Sequence, residues 1–182
     1  MVPIRKDFAD YEPPRWFVPT VERLLASLSE GHVHGLAAIV LTNATVAASR
    51  QTGKPPRRRR RRRRGGTLLG RYFPGGHGDE PHIELIVDAI VGQIPRLLDW
   101  LQLARDITVS RTLYHEIGHH LDASIGARSR DEERSAEAWR KRLTQIHARR
   151  HYGYLKPVAR SLAAVFRMLA RRAQRRGNAA TL

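Results

Sequence analysis

The chain contains no cysteine, no uninterrupted apolar run long enough to cross a bilayer, and no acid among its last 43 residues. Without cysteine there can be no disulfide, no thiolate-ligated zinc finger and no thiol nucleophile, so any metal must be held by imidazole and carboxylate. No stretch approaches the roughly 18 to 20 consecutive apolar residues that a membrane span requires, which excludes an integral helical membrane protein. The first residues carry Arg5, Lys6, Asp7 and Asp10 where a secretory leader would have to be apolar, and this points to a cytoplasmic protein. What is present is a core's worth of apolar residues, 41% of 182, and a large cationic excess, 33 Lys and Arg against 17 Asp and Glu for a formal charge of +16.

That charge is unevenly placed. Arg57–Arg64 is an unbroken run of eight arginines, and the acid-free stretch from Arg140 to Leu182 holds twelve more basic residues. The 13 basic residues left over face all 17 acids, so the body of the protein has a formal charge of −4. Residues 49–66, bounded by Lys54-Pro55-Pro56 and Gly65-Gly66, lack hydrophobic periodicity and repel themselves, which predicts a disordered loop insertion. Two readings of the run stand side by side: non-specific attraction to nucleic acid phosphates, or a low-complexity expansion tolerated at a surface.

Periodicity predicts an α+β fold in one domain over 1–182. An apolar stripe at Val21, Leu24, Leu25 and Leu28 predicts a helix from Thr20 to Glu30, and Leu36–Leu41 has the length of a buried strand. Thr67–Phe73 and Ile83–Val87 read as two strands joined by a turn rich in glycine. Leu97, Leu98, Leu101 and Ala104 predict a helix from Pro95. A second helix is expected over Asp106–Ala123 with Ser110, Leu113, Ile117 and Leu121 facing the core, and a third from about Ser129 or Asp131 to Arg150. Residues 155–182 read as a basic C-terminal helix and tail, its helix over Pro157–Arg176.

The chemistry lies in His115-Glu116-Ile117-Gly118-His119, an HExxH sequence inside a predicted helix. Residues i and i+4 share a helix face, so two imidazoles can converge on one Zn²⁺, while Glu116, rotated about 100° from His115, falls beside the ion as general base for an activated water. A third ligand is needed. The metzincin pattern is excluded because Asp122 and Ile125 stand where its glycine and third ligand belong. Glu133 and Glu137, at i and i+4 of the next helix, supply the alternative: Glu133 as ligand and Glu137 as acceptor orienting a ligating imidazole. Asp131 and Glu132 compete with Glu133 but read better as acids complementing the helix dipole; Asp122 could also support an imidazole, and Glu137 could instead be a solvent-facing partner of Lys141. Tyr114, His120, His147, His151, Tyr152 and Tyr154 are all open as oxyanion donors, with His120 expected on the helix surface. The strand Ile83–Val87 could be a free edge for a peptide or an interior strand.

The combination His115-Glu116-x-x-His119 with Glu133-x-x-Ala136-Glu137 resembles the gluzincin arrangement HExxH…ExxA(D/N) of the ImmA/IrrE-type and other minimal zinc metallopeptidases. Glu137 stands where that family has Asp or Asn. The resemblance covers about residues 67–145 and implies a small zincin-like domain: a short sheet packed on an HExxH helix, followed by a glutamate helix. It further implies a Zn²⁺-dependent peptidase acting on a protein or peptide substrate. The rival reading is a nucleic-acid-associated basic protein, binding non-specifically through Arg57–Arg64 and the basic C-terminal segment, with a structural or vestigial zinc site. For that reading, binding to RNA or DNA is expected to weaken steeply between about 50 and 200 mM salt, and deletion of residues 57–64 to flatten that slope in a filter-binding titration.

Overall fold

The computed structural model describes residues 2–52, 68–76, 79–126 and 131–155. The octa-arginine run and the basic helix expected after residue 155 lie outside the described residues. Backbone contacts group residues 1–146 into one compact unit and 147–182 into another, and every residue that builds the site belongs to the first. In chain order the elements are β1 (Ile4–Asp7), α1 (Phe17–Ala26), α2 (Glu30–Val33), β2 (Ala38–Thr42), α3 (Ala44–Thr52), β3 (Gly70–Phe73), β4 (His82–Ile86), α4 (Val87–Val91), α5 (Gln102–Ser124) and α6 (Glu132–Tyr152). This is an α+β fold with a small mixed sheet, and no described helix is long and apolar enough to cross a membrane.

The sheet runs in the order β1-β2-β4-β3, with β1, β2 and β4 parallel and β3 antiparallel to β4. β2 is buried along its whole length, as the apolar run Ala38–Leu41 requires of a strand flanked on both sides, and Thr42 at its end is buried with it. β4 is interior as well, between β2 and β3. Of the two readings left open for Ile83–Val87, the interior strand is the one observed: the described edges are β1 and β3. β4 also ends at Ile86, where the chain turns into α4 with Asp88 in its first turn. In the centre of the sheet Glu84 is buried, and its carboxylate pairs with Arg50 of α3, which also reaches Asp7.

On the opposite face, Ile39, Leu41, Ile83 and Leu85 meet Val21 and Leu24 of α1 and Val109, Leu113 and Ile117 of α5. The core side expected for α5 is observed, with Ser110, Leu113, Ile117 and Leu121 all buried. α1 starts before the expected Thr20 because Pro19 sits inside its first turn, where a missing N–H costs nothing. The helix expected from Pro95 is corrected more substantially. Arg96–Leu98 is a single 3-10 turn, Leu101 is extended, and α5 begins at Gln102. Leu97 and Leu98 face solvent and contribute nothing to the core.

α1 and α5 are joined by polar contacts as well. The Tyr114 hydroxyl donates to the Leu24 carbonyl (3.0 Å), and Arg23 grips the carboxylate of Asp106, which is only 1% exposed. Removing Arg23 takes the cation from a buried carboxylate, whereas removing the Tyr114 hydroxyl loses only neutral bonds, to the Leu24 carbonyl and to Ser27. Arg23→Ala is expected to lower the unfolding free energy by about 3 kcal/mol and Tyr114→Phe by about 1 kcal/mol, measured by urea denaturation.

Candidate metal centre

The ligand set is built where three elements meet. α5 carries His115 and His119 one turn apart, and their Nε2 atoms are 3.3 Å from each other. The first turn of α6 brings Glu133 across the gap, with Oε2 3.3 Å from His115 Nε2 and Oε1 3.6 Å from His119 Nε2. A tetrahedral ion with ligand bonds of about 2.0–2.1 Å separates its ligand atoms by about 3.3–3.4 Å. The three donor atoms therefore already outline one face of such a polyhedron, and these three residues are the described group able to hold a metal. Two imidazole nitrogens this close also repel through their lone pairs unless a proton or a cation lies between them. Burial, and then the neighbouring His119, lower the pKa of His115, which favours the neutral ring that metals bind.

What permits this convergence is the contact between the helices. A Cβ on Gly118 would stand 2.8 Å from both the Cα and the carbonyl oxygen of Ala136, and 3.1 Å from Trp139 Cβ. The two backbones touch there because Gly118 has no side chain and Ala136 only a methyl group to hold them apart. Asp122 reinforces the contact, its Oδ1 accepting from Ser135 Oγ (2.9 Å) and Trp139 Nε1 (3.1 Å). Asp131 stands at the start of α6 and accepts from the Arg134 N–H (3.2 Å), the helix-terminal role expected of it.

On its other side α5 is pressed against β3, again at a glycine. A Cβ on Gly70 would meet Thr112 Cγ2 at 2.7 Å and Glu116 Cγ at 3.1 Å. Glu116 is thereby buried beside the strand, where it takes a backbone hydrogen bond from Tyr72. Desolvation dominates its ionisation, raising the pKa to about 7 against the lowering effect of that hydrogen bond. A cleft of about 870 Å³ opens over His115, Glu116, His119 and Glu133, with Arg71 and Tyr72 of β3 along one wall.

Two expectations fail here. Glu137 does not orient an imidazole: Arg140 binds its carboxylate with two hydrogen bonds, one of 2.6 Å from Nε, and holds its pKa down at about 2, while Lys141 lies 3.8 Å away. A guanidinium one turn on outcompetes an imidazole on the neighbouring helix. His120 is not on the surface but 2% exposed. Its Nε2 donates to the His34 carbonyl (2.9 Å), so the neutral ring presents Nδ1 to the Tyr72 hydroxyl at 3.3 Å. Tyr114, buried and bonded to Leu24, is removed as an oxyanion donor, and Tyr72, unnoticed in the sequence, lines the cleft instead. The only signal for Tyr72 was its position two residues after Gly70 in a strand, which is weak.

The chain matches no family model, and neither curated proteins nor solved structures show a match. The donor geometry and the cleft thus carry the functional argument alone. Because the helix contact sets that geometry, Gly118→Ala is expected to lower zinc affinity at least about tenfold and stability by about 1–2 kcal/mol. Gly31→Ala, where a Cβ meets nothing within 4 Å, should leave zinc affinity unchanged in the same chelator-competition titration.

Proposed function

We propose that the chain is a zinc-dependent peptidase of the minimal gluzincin kind, with a zincin-like arrangement of sheet, HExxH helix and glutamate helix. The observation that carries this reading is the triangle of His115, His119 and Glu133 donor atoms at 3.3–3.6 Å, open on one side to a cleft that also contains Glu116. A structural zinc site closes all four positions with protein ligands, whereas three convergent ligands beside a cleft are the catalytic pattern. That contrast favours an enzyme over a nucleic-acid-associated protein with a structural or vestigial ion.

Zinc held by these three residues would polarise a peptide carbonyl and make water a usable nucleophile near neutral pH. Glu116 handles the proton. Its carboxylate accepts a hydrogen from the attacking water and delivers it to the departing amine nitrogen, and burial between β3 and α5 keeps it at the basicity such a shuttle needs. A cation next to it lowers the pKa from the value in the metal-free pocket, so the carboxylate is ionised when the site is loaded.

The substrate side is β3. It is a described edge of the sheet, its Gly70 backbone lies against Glu116, and an extended peptide pairing with that edge would pass over the ligand triangle. The Tyr72 hydroxyl, anchored by His120, stands in the same cleft as a polar contact for the peptide.

Purified protein is expected to contain about one zinc per chain. Glu116→Gln should keep that zinc and lose peptide-bond cleavage by at least about a thousandfold, while Glu133→Ala should lose both. Zinc-free protein, or unchanged turnover in Glu116→Gln, would remove the assignment.

A further inference from the structure

A second feature lies just before the metal-binding turns of α5. Leu97 is 86% exposed, Trp100 73%, Ile107 57%, Leu98 41% and Leu103 38%, so five large apolar side chains stand in solvent within eleven residues. The other exposed large apolar residues described, Leu68, Ile125 and Tyr154, are scattered singly. Leu103 and Ile107, one turn apart, share the outer side of α5, while Asp106, Val109 and Ser110 supply its buried side. Five exposed large apolar side chains within so short a stretch, against single ones elsewhere, mark an interaction surface.

The local chemistry specifies the partner. Leu97 and Trp100 project from the 3-10 turn and the residues after it, and the indole N–H of Trp100 donates back to the Leu97 carbonyl at 2.9 Å. The ring can therefore leave water without stranding its donor. Arg96 and Arg111 flank the patch and are exposed, while Asp99, the one exposed acid between them, lies 3.9 Å from Arg105. A second copy of a chain carrying +16 is repelled at long range, and a nucleic acid offers phosphates but no apolar medium for Leu97 and Leu98. An anionic bilayer accepts both the cations and the apolar side chains, and Trp is well suited to its interface.

We propose that Arg96–Ile107 is a membrane-docking surface, inserting Leu97, Leu98 and Trp100 into the interfacial layer of an anionic bilayer with Arg96 and Arg111 against lipid phosphates. Ile107 is eight residues from His115 on the same helix, about 12 Å along its axis, so docking holds the cleft close to the lipid surface. The inference does not depend on the peptidase reading, since lipid binding needs neither metal nor Glu116.

The test is co-sedimentation of the full chain with vesicles of phosphatidylcholine alone or with roughly one-third phosphatidylglycerol. Because the basic stretches outside the described residues also attract anionic lipid, binding is compared at low salt and at about 0.5 M, where charge attraction is largely screened. Wild type should retain binding at high salt, and a Leu97→Ser/Trp100→Ser double variant should partition about tenfold more weakly there. Deletion of residues 57–64 should weaken binding mainly at low salt. Brominated lipid should quench tryptophan fluorescence in wild type but not in Trp100→Phe, which leaves Trp16 and Trp139 as internal controls. Glu116→Gln should bind vesicles as wild type does, which separates this result from the fate of the peptidase assignment. Equal partitioning of wild type and the double variant at high salt, or undiminished quenching in Trp100→Phe, overturns the proposal. So does a lipid-free dimer in sedimentation velocity that the double variant abolishes, because the occupant would then be a second copy.

Discussion

The approach of α6 to α5 at Gly118 and Ala136 is the constraint on which the rest of the site depends. Glu133 lies one turn before Ala136 on α6 and His115 one turn before Gly118 on α5, so both stand within a turn of the contact, where their donor atoms meet at 3.3 Å. His119 follows Gly118 directly and completes the triangle. A side chain of ordinary size at either contact position would separate the helix axes by an ångström or more, and a ligand set of this kind tolerates only about half that. The carboxylate of Glu133 is itself exposed and makes no packing of its own. Its position is inherited from the backbone beneath it, and Asp122 braces that backbone through Ser135 and Trp139.

The electrostatics of the cleft follow from the same packing. Glu116 is pushed into a dry position by β3, which raises its pKa, while Glu133 stands in water between two imidazoles. Two carboxylates in one small site thus differ in environment, the exposed one suited to ligation and the buried one to proton transfer. Glu137, which the spacing also brings to this helix face, is withdrawn by Arg140. The arginine that neutralises it begins the acid-free stretch of the sequence, so the basic C-terminal part of the chain starts about two turns after Glu133 on the same helix.

How legible all this was depends on how local the signal is. α5 could be read because its apolar residues keep helical spacing over many turns, and the β3–β4 hairpin because a glycine-rich turn separates two apolar runs. The pairing of His115 and His119 follows from helix geometry alone, and Glu133 from the need for a third ligand. β1 was invisible: Ile4-Arg5-Lys6-Asp7 has one apolar residue and gains its strand structure from β2 alongside. The last turn of α3, residues 49–52, fell inside the residues assigned to the insertion, since Ala44–Thr52 docks through Arg50 on Glu84 and Asp7 and not through an apolar stripe. Leu97 and Leu98 misled in the opposite sense, because apolar spacing cannot distinguish a core stripe from an exposed patch. His120 could not be placed, because its partners are Tyr72, 48 residues away, and the His34 carbonyl, 86 residues away.

The two glycines at these contacts are costly in a way that supports their geometric role. Glycine inside a helix is less favourable than alanine by about 1 kcal/mol, and glycine in a strand gives up side-chain packing. Gly118 lies deep inside a 23-residue helix and Gly70 at the start of an edge strand, so neither is needed for a turn. At both positions a methyl group would collide with the neighbouring element at 2.8 Å or less, one on the side of Glu133 and one on the side of Glu116. Local helix and strand preference is thus outweighed at two places, and both flank the HExxH turn. A helix whose role was only to cover the sheet would gain stability from alanine at 118 and a wider spacing from α6; the close spacing is what brings Glu133 to the two imidazoles.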